Sequence, residues 1–182
     1  MGFRRGFKAE ANRIAVRVRE QMGLAATAPI DPFAVCERFD IRVIRLRELD
    51  GRSPFLGRAN SAFSAVTVPC GIDTAIVHND SHHPYRQRSN ICHELAHCFL
   101  SHECTPPLTV DGERARDGGI EAEANFLAGA LLITNEAALH ILKMGIVAQA
   151  QRLYGVSITM LNYRLSVSGA RTIHKRINGF AA

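Results

Sequence analysis

His93-Glu94-Leu95-Ala96-His97 sets two histidines four residues apart. On a helix such a pair lies one above the other on a single face, with Cβ atoms about 5–6 Å apart. Both imidazoles can then reach one tetrahedral Zn²⁺. Glu94 points about 100° round the helix, where it can serve a water at the metal without competing as a ligand. This is the H-E-x-x-H pattern of zinc hydrolases. So short a pattern also arises by chance, in a buried helix that happens to carry these side chains. The flanks argue against chance, because Ile91, Leu95, Cys98 and Phe99 fall on one arc with Ala96 and Leu100 beside it. The rings therefore border an apolar environment, where an unpaired polar group is costly.

A catalytic zinc takes a third protein ligand and keeps a position open. The stretch Glu121-Ala122-Glu123-Ala124-Asn125-Phe126-Leu127-Ala128 runs on through Leu131-Leu132-Ile133 as a small-residue, apolar helix with two carboxylates at its start. Ala124, Ala128, Gly129 and Ala130 let another helix come close. Glu121 is the preferred third ligand, because Asn125 lies one turn on and can hold the far nitrogen of a ligand histidine. Glu123, with Leu127 at that offset, is the alternative. Acids in a first turn also suit the helix dipole, which accounts for either carboxylate but not for the pairing with the histidines. Glu103 stands where H-E-x-x-H-x-x-G-x-x-H enzymes place a third ligand, but Leu100 replaces the glycine that turns the chain back. His102 is a further rival.

The 182 residues fit one domain, with or without a small appendage, and 47% apolar content is ordinary for a globular chain. No apolar stretch follows the basic opening, and the longest apolar run, Phe126 to Ile133, is too short for a bilayer. Gly6 stands where myristoylation needs Ser or Thr. The expectation is a cytoplasmic protein without a membrane partner. Five scattered cysteines, Cys36, Cys70, Cys92, Cys98 and Cys104, suit reduced thiols. Cys92 and Cys98 flank the histidines, yet they point away from them and no C-x₂-C knuckle is present, so a Cys/His structural zinc site is the lesser reading. Residues 137–182 hold six Lys or Arg and no acid, which leaves −1 for the rest of a chain whose net charge is +5. A basic segment suits an acidic partner or nucleic acid, and equally a solvated helical face.

Read in order, residues 7–22 form an amphipathic helix with Ala11, Ile14, Ala15, Val18 and Met22 inside, stopped by Gly23. Asp31 caps a second helix that Pro32 begins and that runs to about residue 39. Residues 41–46, 62–68 and 74–78 read as strands, the last two as a hairpin, giving a small antiparallel sheet. His78, His82 and His83 fall in or beside a polar turn and read as solvated. Ser89 or Asn90 caps the histidine helix, which runs to about His102. A loop over 105–118 precedes the helix that starts near Ile120. Residues 147–168 have the cadence of a helix-turn-helix around Gly155-Val156-Ser157.

The chain resembles the ImmA/IrrE family of metallopeptidases. The resemblance rests on Arg88-Ser89-Asn90-Ile91-Cys92-His93-Glu94-Leu95-Ala96-His97 followed by Glu121-Ala122-Glu123-Ala124-Asn125-Phe126-Leu127-Ala128 and Leu131-Leu132-Ile133. The family's second run has phenylalanine where Leu127 stands and Met-Pro where Ile133-Thr134 stands, differences that touch packing and the helix exit. Pro32 to Ile41, Leu153-Tyr154-Gly155-Val156-Ser157 and Tyr163-Arg164-Leu165 extend the likeness from about residue 10 to 170. The resemblance implies an α+β, mostly helical zincin-like domain, with the small antiparallel sheet packed beside the metal-binding helix. We expect a peptidase core at 1–136 and a basic, helix-turn-helix-like segment at 137–182 packed on it. It also implies a zinc-dependent endopeptidase, often acting on a helix-turn-helix repressor encoded beside it and so affecting transcription regulation.

The expected chemistry has His93, His97 and Glu121 holding Zn²⁺, or another divalent metal such as Mn²⁺, with Glu94 as general base and then acid. Tyr154, Tyr163, Arg164 and His174 are candidate oxyanion donors. The rival class is a DNA-binding module acting through 147–176, with Asn162 and Arg164 as its base-reading side chains. A third reading keeps the metal site without activity, leaving a protein that sequesters a repressor.

Overall fold

The computed structural model describes residues 3–70, 73–102 and 118–179. In chain order these form α1 (Phe7–Gln21), α2 (Pro32–Arg38), β1 (Ile41–Arg45), a short α3 (Leu46–Leu49), β2 (Ala65–Cys70), β3 (Asp73–His78) and α4 (Pro84–Phe99). There follow α5 (Gly118–Leu132), α6 (Asn135–Lys143), α7 (Val147–Tyr154), α8 (Ile158–Val167) and α9 (Ala170–Gly179). The class is α+β, as expected, with helices in the majority.

The centre is α5. Ala124 and every residue from Phe126 to Leu132 are buried, so this helix has no long polar face to turn to water and must sit inside. It packs against α4 on one side and α1 on another. Phe126 meets the rings of Phe3 and Phe7 with centroids 5.1 and 5.9 Å away. At Gly129 a Cβ would stand 2.9 Å from Cδ of Arg164, so α8 approaches here only because the side chain is missing. The carbonyls at the end of α5 lack intrahelical donors. Two buried arginines supply them: Arg19 Nη2 donates to Leu132 O at 3.2 Å and Arg164 Nε to Ile133 O at 2.8 Å. Burial lowers the pKa of each guanidinium to about 10, which leaves both charged at neutral pH. Thr134 then caps α6, accepting from Ala137 N–H at 2.9 Å while its hydroxyl donates to Ala26 O at 2.7 Å.

The sheet has the order β1-β3-β2 and is mixed. β2 and β3 form the expected antiparallel hairpin, but β1 lies parallel to β3, with Val43 opposite Ile76. An all-antiparallel sheet was the expectation, and two features explain the difference. Ala75 to His78 are all buried, which suits a central strand. Pro69 has no N–H to donate to a ladder, which confines β2 to an edge. The chain therefore crosses to the far edge before returning through the middle alongside β1.

The histidine helix starts earlier than Ser89 or Asn90. Pro84 takes the first helical position, and His83 Nδ1 accepts from Tyr85 N–H at 3.2 Å as the cap. Of the three histidines before it, His83 is exposed as expected, but the other two are not solvated. His82 is buried, with Nε2 2.8 Å from Asn60 O and Nδ1 3.2 Å from Asn90 Nδ2. His78 is buried against Phe33, ring centroids 5.6 Å apart. Further along α4, Arg88 donates to Ile30 O and, at 3.1 Å, to Oδ1 of Asp31, the cap of α2. Its guanidinium lies over Gly155, where φ is +61° and a Cβ would come within 2.7 Å of Nε. Glycine is required there twice over, for the left-handed turn between α7 and α8 and for the cation above it.

Candidate metal centre

α4 and α5 bring three predicted residues together. Nε2 of His93 and Nε2 of His97 are 3.1 Å apart. Glu121, at the start of α5, places Oε2 3.5 Å from His93 Nε2 and Oε1 3.6 Å from His97 Nε2. The close approach depends on small residues at the seam, since Ala96, Ala124 and Ala128 are all buried. Donors about 2.0–2.1 Å from a tetrahedral zinc stand roughly 3.3 Å from one another. The three measured separations bracket that value, so this donor set can hold such a metal ion. All three side chains keep some exposure, 23%, 18% and 30%, which leaves the centre open on one side.

Glu123 is turned elsewhere. It lies 3.3 Å from Arg4, whose guanidinium also grips Glu10 at 2.7 Å. Two positions along α5 is about 200° of rotation, so the two carboxylates cannot serve the same site. Asn125 is exposed and does not take the outer role expected of it. Nδ1 of His97 instead meets Nδ1 of His102 at 3.0 Å. His102 is thus on the far edge of that ring from Glu121, and not a ligand. Glu103 lies outside the described residues.

Glu94 is buried, with Oε2 accepting from the hydroxyl of Thr67 at 2.7 Å. Burial pushes its carboxyl pKa up, and the Thr67 hydrogen bond opposes that shift. Burial lowers the pKa of His97, assisted by its neighbour His93, and this favours the neutral ring that a metal needs. Thr67 was not anticipated. Its only mark in the sequence is a polar residue amid the apolar strand Ala65-Val66-Thr67-Val68.

The other predicted residues do not join the centre. Tyr154 is buried and donates to Thr27 O at 2.7 Å. Arg164 is spent on Ile133 O and on Asn135 Oδ1 at 3.0 Å. Tyr163 lies by Gly129, eight residues or about 12 Å along α5 from Glu121. His174 pairs with Asn178 at 3.0 Å on α9. With Arg164 buried, α8 keeps Asn162 alone of its two base-reading candidates. Cys92 is buried in the core and burial pushes its thiol up to about 12, away from the thiolate a Cys/His site requires. Among the described residues no single helix is long and apolar enough to cross a membrane.

A search of curated proteins finds no match to the chain. The family model Peptidase_M78, described as the IrrE N-terminal-like domain, matches residues 36–166, a span that includes both the histidine pair and Glu121. With that span covering most of the sequence, the chain belongs to the Peptidase_M78 family.

Proposed function

We propose that the protein is a zinc-dependent endopeptidase that hydrolyses a peptide bond in a protein substrate. The observation that carries this reading is the placement of Glu121 within 3.5 and 3.6 Å of two imidazole nitrogens that are themselves 3.1 Å apart. His93, His97 and Glu121 would hold the metal. Zinc held there would supply Lewis acidity, lowering the pKa of water toward about 7 and polarising a carbonyl. Glu94 takes the proton of the attacking water and delivers it to the leaving amine. Burial of that carboxylate beside Thr67 supports the role, because a raised pKa brings it nearer the working pH.

The substrate in this reading is a helix-turn-helix repressor encoded beside the protein, and the site of action is the cytoplasm. Support for the repressor comes from the family resemblance alone, and support for the compartment from five scattered cysteines without the spacing of a disulfide framework. The test has two arms. Purified protein carries about one zinc per chain, and loses it in His93→Ala and Glu121→Ala. Glu94→Gln keeps the zinc and abolishes cleavage of the repressor. Cleavage by Glu94→Gln at the wild-type rate rules the assignment out. Zinc and tight repressor binding without cleavage by wild type would mean sequestration instead.

A further inference from the structure

The turn that closes α4 does more than end a helix. Ser101 adopts φ +53°, a left-handed conformation uncommon for a residue with a side chain. Its N–H donates to Cys98 O at 3.1 Å, and the N–H of His102 donates to His97 O at 3.0 Å. Together these are the two hydrogen bonds of a Schellman closure, which folds the residue after the left-handed position back over the last turn. Here that residue is His102 and the residue beneath it is His97. Their rings meet at 67° with centroids 5.1 Å apart and the two Nδ1 atoms 3.0 Å apart. Ser101 thereby performs the reversal that the sequence, lacking a glycine at Leu100, did not promise.

The consequence is chemical. A neutral imidazole carries its hydrogen on one nitrogen and its basic lone pair on the other. Nε2 of His97 faces His93 and Glu121, and Nδ1 faces His102. Two facing Nδ1 atoms share one hydrogen. If His97 owns it, His102 is the acceptor and the lone pair of His97 is on Nε2, aimed at the metal. If His102 owns it, His97 presents N–H to the metal and cannot bind.

We propose that His102 is the positioning residue of the metal centre, accepting the Nδ1–H of His97 and so fixing the tautomer and ring orientation that direct Nε2 at the ion. This rests on the reading of His93, His97 and Glu121 as ligands. Partners of ligand histidines commonly govern metal affinity by about 10–100-fold.

The test is the zinc dissociation constant of the full chain, measured by competition with a chromophoric chelator, with the Co²⁺ absorption spectrum as a second readout. His102→Phe keeps the ring contact but offers no acceptor, and weakens zinc binding roughly 10–100-fold. His102→Asn places an amide oxygen near the position of Nδ1 and restores most of the affinity, with a Co²⁺ spectrum like that of wild type. Metal-free melting curves check that each variant folds, and His102→Ala replaces the Phe variant if that one does not. Wild-type affinity in the variant lacking an acceptor overturns the proposal, as does an Asn variant that folds yet binds as weakly as Phe. Wild-type protein that takes up no zinc overturns the ligand assignment itself, and this inference with it. A loaded wild type with an equally tight Phe variant removes only the role of His102.

Discussion

The hydroxyl of Thr67, in the middle of β2, donates to Oε2 of Glu94 on α4 across 2.7 Å. The sheet thus reaches a carboxylate that is buried, and burial alone would favour its protonated form. Thr67→Val keeps the shape and removes the donor. A buried acceptor left short of a partner costs about 1–3 kcal/mol, so denaturant unfolding shifts by that amount. With Glu94 less firmly held, cleavage falls roughly tenfold, equivalent to about 1.4 kcal/mol. Thr67→Ser restores both. Equal cleavage by the Val variant would show that Glu94 is held by other groups.

The two acids of α5 separate in the same way. Glu121→Gln removes an anionic oxygen from beside two imidazoles and empties the metal site. Among the described residues the ion pair that Glu123→Gln loses is with Arg4, a half-exposed cation already held by Glu10. A pair of this kind is worth about 0–1 kcal/mol, so that variant melts close to wild type and keeps its zinc. Elemental analysis of the two purified variants decides between them, and zinc lost from Glu123→Gln but not from Glu121→Gln reverses the assignment.

Local patterns carried much of this structure. The apolar spacing of α1, the Asp31-Pro32 start of α2 and the hairpin of β2 and β3 were each legible within one short stretch of chain. So was the pairing of an H-E-x-x-H helix with an acidic start to a buried one. What escaped depends on contacts between distant segments. Strand order is not written in any one strand, so the parallel placement of β1 came only with the fold. His83 makes a poor cap by residue type, and Pro84 at the first helical position outweighed Ser89 and Asn90. Arg19 and Arg164 are conventional surface residues in a sequence, yet here they close the carbonyl end of α5. Thr67 and His102 gain their partners from a sheet edge and from a left-handed turn at Ser101, neither of which residue type announces.

Gly129 tests how close α5 and α8 must be. Alanine there gains about 1 kcal/mol of helix propensity over glycine. Its Cβ, however, would stand 2.9 Å from Cδ of Arg164, a side chain pinned by Ile133 O and Asn135 and unable to swing away. Overpacking of this kind costs about 1–3 kcal/mol. Gly129→Ala is therefore expected to destabilise the fold by up to about 2 kcal/mol, and Gly129→Val by more. A Gly129→Ala variant more stable than wild type in urea unfolding would mean that α8 yields freely.

His78 gives the fold an acid sensitivity distinct from that of the metal centre. It is 1% exposed, its ring lies edge-on to Phe33, and neither ring nitrogen has a partner among the described residues. Burial lowers its pKa, with Arg45 and His82 acting in the same sense and Asp80 and Glu48 against it. In the unfolded chain the ring takes a proton near 6.5, whereas in the folded protein it does so only at lower pH. Between those two values the unfolded state binds more protons, so stability is full above about 6.5 and falls as the pH drops through the window. His78→Phe keeps the aromatic contact and removes the titration. Unfolding midpoints measured from about pH 7.5 down to 5.5 should fall less in His78→Phe than in wild type, the other histidines contributing equally to both. Parallel declines in the two proteins would mean that His78 finds a way to carry its charge inside the fold.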